Sequence, residues 1–199
     1  LATKYRVRYQ AGNYNDEATV PLVFFGLGLP SLFNPLSWAW TMIRIELSLL
    51  RPYPVDFVVV ELGADAPGQL QHFAYLKPDI GFLTAIAPEH MEFFGSIDAV
   101  AKEELTVSDI SKKIFLNRDL CDPSYVPQRT DLIGYGINQE AIYQLRPGPL
   151  SPGGYSFSVT KKGLGLVAGQ HPSVSVVQLY SLLAAIAAAE LQRPPDQQR

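Results

Sequence analysis

One cysteine, three histidines and two methionines leave this 199-residue chain poor in soft ligands. Cys121 has no second cysteine to pair with, which excludes a disulfide framework and a thiolate metal cluster. Basic charge is thin as well: 16 Lys and Arg stand against 19 Asp and Glu, for a net charge of −3. No cluster of them forms the phosphate-tracking stripe that a nucleic-acid partner requires. Uninterrupted apolar runs are also short. Residues 20–43 are broken by Pro30, Asn34 and Pro35, and residues 174–189 contain Gln178, whereas a membrane span wants roughly 18 or more unbroken apolar residues. Both segments read as core. The opening LATKYRVRY lacks the charged-then-apolar layout of a secretory leader, and with the lone cysteine this points to a cytoplasmic setting. No internal repeat is present, and no G-x-x-x-x-G-K-[ST] phosphate loop occurs in the 199 residues.

What is present centres on residues 55–96. Phe57–Val60 is a continuous apolar run ending on Glu61, the pattern of a strand buried on both faces of a parallel sheet. Residues 67–76 suit a crossover helix, and Ile80–Thr84 the next parallel strand. The loop beyond carries Glu89, His90 and Glu92. Two consecutive strands would then deliver Glu61 and His90 to one carboxyl-end edge, where open α/β sheets bind ligands. An acid and an imidazole meeting there invite a metal.

Around that centre, Tyr5–Tyr9 reads as a short strand, residues 11–16 as a turn-rich loop, and Thr19–Phe25 as a helix with Pro21 in its first turn. Leu36–Leu50 is predicted helical, with Trp38, Met42, Ile45 and Leu49 on one apolar face. Trp38, Trp40, Phe93 and Phe94 read as core or domain-interface packing in preference to a base-stacking platform. A helix over 97–108 capped by Ser96 precedes a buried strand at 113–116. From Asp131 the texture changes to short alternating runs between Gly and Pro clusters (131–135, 141–145, 155–160, 164–167), which is hairpin chemistry. A long Ala/Leu-rich helix over 173–191 and a frayed tail complete the chain. The fold class is therefore α/β, a mostly parallel sheet flanked by helices, with a small antiparallel appendage.

Five segments, in order, carry a resemblance: GNYNDEATVPL at 12–22, VVVELGADAPGQL at 58–70, EHMEFFGSIDAVAKEE at 89–104, LNRD at 116–119 and GQHPSVSVVQLYSLLAAIAA at 169–188. Together they resemble the central domain of the Mur ligases over nearly the whole chain. The resemblance implies one domain over 1–191, with the antiparallel appendage at about 131–168 and a tail at 192–199. It also implies that the family's phosphate loop, with its strand and helix, falls just before residue 1. The implied chemistry is ATP-dependent amide formation, in which a substrate carboxylate takes the γ-phosphoryl group and an amine displaces phosphate from the acyl phosphate. ATP and Mg2+ are the implied cofactors. The implied partners are a UDP-linked muramoyl peptide and an amine, D-alanyl-D-alanine in the tripeptide-extending branch.

By the same resemblance, Glu61 matches the carboxylate that holds the nucleotide-bound magnesium, and His90 the imidazole of a second magnesium. Glu104 falls where the family has a carbamylated lysine, and is read either as its substitute or as a helix-surface charge. Asn13 and Asn15 match the loop near the phosphates. Asn117, Asp119 and His171 are candidates for nucleotide contact, with turn-fixing roles as the other reading. Gln170, Pro172 and Ser175 replace an arginine and two asparagines of the family pattern, which weakens adenine and ribose contacts. Three functions remain open on the sequence: a Mur-type ligase core inactive by itself, a degenerate nucleotide- or metal-binding module or partner subunit, and another ligase of the superfamily, folylpolyglutamate synthase-like or amidating lipid-linked precursors.

Overall fold

The structure, a computed structural model, describes residues 2, 4–10, 12, 15–126, 129–172 and 175–192. It divides into two compact units, Leu1–Ala64 and Asp65–Arg199.

In the first unit β1 (Val7–Tyr9) pairs in parallel with β2 (Phe57–Val59). Arg6 fixes this register: its backbone N–H donates to Asp56 Oδ2 at 2.9 Å and its guanidinium to Oδ1 at 2.8 Å. Between the strands lie α1 (Val20–Phe25), with Pro in its first turn and left-handed Gly26 ending it, and α2 (Pro35–Leu49). The α2 start is set by Asn34, whose side chain accepts from Leu36 N at 3.0 Å, followed by Pro35 where a missing N–H costs nothing.

Two expectations fail here. Val59 is 49% exposed, so the apolar run is not doubly buried. Met42 and Leu49 are exposed too; α2 buries Thr41 instead, with Trp38 and Ile45 half-buried beside it. Trp40 and, in the second unit, Phe93, read as core or domain-interface packing, are 60% and 63% exposed and so lie outside the core. The reason is shared. An apolar side chain shows that a face wants cover, while its partner is set by long-range pairing that local pattern does not encode.

The second unit holds one six-stranded sheet in chain order: β3 (Ile80–Leu83), β4 (Lys113–Asn117), β5 (Leu132–Gly136), β6 (Tyr143–Ser151), β7 (Gly154–Lys161) and β8 (Leu164–His171). The first three pairings are parallel and the last two antiparallel. Strand β4 meets its expectation: Ile114, Phe115 and Leu116 are fully buried. The hairpin reading of residues 131–145 is corrected. β5 pairs in parallel with β4 and β6 starts in parallel with β5, so antiparallel pairing begins only at the β6–β7 hairpin and continues the same sheet. Turn residues flanking a strand report its ends, not the direction of its neighbour.

The 3-10 helix Leu70–Leu76 takes the place of the expected crossover helix. Helix α3 (Met91–Phe94) follows β3. The predicted helix over 97–108 is two, α4 (Ile97–Glu104) capped by Ser96 and α5 (Thr106–Ile110). The final helix α6 (Val176–Leu191) is capped by Ser175; the expected first residues 173 and 174, and the tail 193–199, lie outside the described residues. Leu179, Leu183 and Ala187, spaced by four, are fully buried in a cluster with Phe115, Tyr135, Tyr143, Leu145 and Val159. Phe82 stacks on Phe115 at 4.7 Å within that layer. A smaller cluster joins Leu83, Leu116 and Cys121 with Ile86 and Leu105.

Candidate functional site

The sequence places Glu61 and His90 at the ends of consecutive strands of one sheet. Among the described residues they leave different sheets: β2 pairs with β1, and β3 opens the six-stranded sheet.

In the first unit, the loop after β2 gathers three polar groups. The Glu61 backbone N–H donates to Gln10 Oε1 at 2.8 Å, while its carboxylate is exposed and makes no hydrogen bond or ion pair with the described residues. Gly63 N–H donates to Asn15 O at 3.2 Å. A Cβ on Gly63 would lie 2.3 Å from Asn15 Nδ2, so the absent side chain is what lets the Asn15 amide lie against this loop. Asn15 thus lies against the loop that carries Glu61; Asn13 lies outside the described residues.

In the second unit, the β3 and β4 carboxyl ends carry the rest. His90 sits in left-handed backbone (φ 48°) immediately before α3, and its Nε2 is 3.3 Å from Asp65 Oδ1. Asp65 is a residue that the sequence reading missed, although it stands four positions after Glu61 in the same ELGAD segment. Glu104 ends α4, and its carboxylate makes no hydrogen bond or ion pair with the described residues. Burial first, then the charges of Glu89 and Glu103, push its carboxyl up to about 7. Beside it, Cys121 is pushed up to about 12 by burial and by Glu104, which keeps the thiol protonated and unreactive. The deeply buried acid of α4 is its neighbour Glu103, accepting from the N–H groups of Gly68 and Leu70 at 2.6 Å each. That acid anchors the start of the 3-10 helix. Lys102 is exposed.

Asn117 and Asp119 fix the turn after β4. Asn117 Oδ1 accepts from Asp119 N–H at 3.1 Å. Asp119 accepts from the N–H groups of Ile137, Asn138 and Gln139 at 2.6, 2.9 and 2.7 Å, and from the Tyr180 hydroxyl at 2.9 Å. Burial raises the Asp119 pKa, but these donors outweigh it and hold the carboxyl below its ordinary value. Asn117 is 1% exposed and its Nδ2 has no acceptor among the described residues, which leaves a buried donor group unsatisfied. His171 closes β8 opposite Tyr155, as a sheet residue and not a loop residue.

The donor set has a clear chemical limit. Among the described residues no three His, Cys, Asp or Glu side chains converge on a metal position. Magnesium is characteristically held by one or two carboxylates, with waters and substrate phosphates completing its shell. Glu61, and separately Glu104 or the His90–Asp65 pair, suit such shared coordination and not an all-protein cage. No described helix is long and apolar enough to cross a membrane.

A mostly parallel sheet with flanking helices, carrying His90 on the loop beyond β3 and Asn117 and Asp119 at the end of β4, is an open α/β fold. Within that class the chain belongs to the Mur ligase middle domain family, whose profile matches residues 41–189. It is 32% identical over 153 residues to the UDP-N-acetylmuramoyl-L-alanyl-D-glutamate–2,6-diaminopimelate ligase of Chlamydia abortus, covering 71% of this chain and 32% of that protein. It is 24% identical over 164 residues to the UDP-N-acetylmuramoyl-tripeptide–D-alanyl-D-alanine ligase of Bacillus subtilis, covering 80% of this chain and 30% of that protein. The chain therefore spans about a third of the length of the curated relatives it matches. The MurF ligase of Thermotoga maritima, solved in complex with ADP, shares the fold with a TM-score of 0.69 at 20% identity, over 96% of this chain and 40% of that one.

Proposed function

We propose that these residues form the nucleotide- and magnesium-handling part of an ATP-dependent acid–amino-acid ligase of peptidoglycan precursor synthesis, acting in the cytoplasm. The family match over residues 41–189 carries this reading. The reaction asks for positioning and charge neutralisation more than covalent help from protein. Magnesium, when bound, supplies that neutralisation at the phosphoryl oxygens. Glu61 holds the nucleotide-bound ion, and His90 and Glu104 serve a second. Asp65 orients the His90 ring through its contact with Nε2. Asn13 and Asn15, the latter held against Gly63, are assigned to the phosphates, and Asn117 to the nucleotide. Asp119 serves the same site indirectly, by fixing the loop after β5.

The amine we assign is D-alanyl-D-alanine, added to a UDP-N-acetylmuramoyl tripeptide. The segments at 12–22 and 89–96, with the Bacillus relative, support this choice. The Chlamydia relative supports a second reading, addition of diaminopimelate to the dipeptide precursor. Phosphate release from ATP with each substrate pair separates the two, using the polypeptide expressed from the complete reading frame that contains these residues. The 199 residues hold no G-x-x-x-x-G-K-[ST], so taken alone they are expected to give no heat with magnesium and ATP by isothermal titration. A clear binding heat without phosphate release from the complete polypeptide would instead mark a degenerate binding module.

A further inference from the structure

Two side chains shape the loop that carries Asp65. Within residues 65–70, where Pro67 has no N–H to give, four backbone N–H groups are taken by side chains. Gln69 Oε1 accepts from Asp65 at 2.6 Å and from Ala66 at 3.2 Å, folding the segment back on itself. Glu103, reaching across from α4, accepts from Gly68 and Leu70 at 2.6 Å each. Between the two holds the chain reverses at Gly68, whose φ of 91° is costly for any residue with a Cβ. The course of this loop therefore depends on two acceptors and not on a backbone ladder.

The loop presents one side chain to the His90 region. Among the described residues the exposed Asp65 carboxylate meets a single polar group, His90 Nε2 at 3.3 Å. On a slack loop such a surface contact contributes little, because ordering both partners offsets the attraction. Here the Asp65 backbone is already fixed. His90 is seated separately: its C=O accepts from the N–H groups of Phe93 and Phe94 at 2.9 and 3.1 Å, and Phe94 is buried. Helix α3 then runs through Gly95 into Ser96, the cap of α4. Both partners are thus tied to α4, His90 near its start and the Asp65 loop, through Glu103, at its end.

Glu103 and Gln69 differ in what else they support. Glu103 is 6% exposed and anchors a 3-10 helix that buries Leu70 and Phe73, so its loss disturbs the core. Gln69 is half-buried, its side chain does not cap that helix, and it serves Asp65 and Ala66 alone.

We propose that Gln69 is a positioning residue for His90: by fixing the Asp65 backbone it sets that carboxylate against Nε2, and so holds the imidazole in a fixed orientation for a divalent ion. The metal half rests on the proposed assignment of His90 to magnesium; the hold of Gln69 on Asp65 does not.

Two measurements on the polypeptide of the complete reading frame test this, and neither needs turnover. In hydrogen exchange read by mass spectrometry, Gln69→Ala is expected to speed exchange at residues 65 and 66 about tenfold and to leave α4 and α6 unchanged. Gln69→Glu, which keeps the acceptor, is expected to stay near the parent. Manganese affinity, followed by electron paramagnetic resonance with ADP present, is expected to fall about tenfold in Gln69→Ala and in Asp65→Ala. The double variant is expected to lose no more than either single one, because Gln69 acts through Asp65, and Gln69→Glu to keep the parent affinity. Unchanged exchange at 65 and 66, faster exchange throughout residues 65–192, or losses that add in the double variant overturn the proposal. So does an affinity that falls in His90→Ala but not in Gln69→Ala. An affinity that His90→Ala also leaves unchanged, with exchange at 65 and 66 raised, overturns the assignment of His90 to a metal instead.

Discussion

Asp119 accepts four hydrogen bonds, three of them from consecutive backbone N–H groups after β5. Replacing it by Asn removes the charge and half the acceptors, and is expected to cost about 2 kcal/mol in urea denaturation at neutral pH. Because its folded pKa is depressed, its contribution is present above the ordinary carboxylate value and is lost as pH falls through the folded one. The gap between parent and Asp119→Asn should therefore narrow below about pH 4. Glu104 has the opposite sign. Its folded pKa is raised to about 7, so the folded state is favoured below its ordinary 4.5 and that advantage is lost as pH rises through 7. Glu104→Gln is expected to be more stable than the parent by about 1 kcal/mol near pH 8.5, with no difference near pH 4, read from denaturation midpoints. At this scale the sequence spoke unevenly. LNRD showed a turn to be fixed, since Asn and Asp bond local backbone, but not that the partners of Asp119 lie 18 to 20 residues away. Between adjacent Glu103 and Glu104, periodicity alone could not tell the buried anchor from the half-buried acid.

Among elements, the join of α6 to β6 and β7 rests on a buried polar triad that the Ala/Leu-rich helix gave no sign of. Glu190, 2% exposed, accepts from Tyr143 Oη at 2.5 Å and from Lys161 Nζ at 2.9 and 3.0 Å. Removing one member strands the others, so Glu190→Ala is expected to destabilise by about 3–5 kcal/mol, measured by thermal or urea unfolding. Replacing Glu190 and Lys161 together by apolar residues should cost much less, because no uncompensated charge remains. Strands β3 and β4 and helices α2, α4 and α6 were legible because apolar runs, caps and prolines are local signals. Which face of α2 is buried, and which strand β2 joins, were not legible, because both depend on partners distant in sequence. The same limit made the parallel β5 look like part of a hairpin.

For the whole molecule, the family and its fold rest on the match over residues 41–189 and on a shared fold with a solved MurF ligase. The division into Leu1–Ala64 and Asp65–Arg199 separates Glu61 and Asn15 from Asp65, His90 and Glu104. The reaction proposed here needs both groups, so disabling either is expected to stop it. The most direct measurement is phosphate release from ATP by the polypeptide of the complete reading frame, given UDP-N-acetylmuramoyl tripeptide and D-alanyl-D-alanine. The account expects release that requires both substrates and falls on the order of 1,000-fold in Glu61→Ala and in His90→Ala. No release with this pair or with the diaminopimelate pair, or rates that both substitutions leave unchanged, would contradict it.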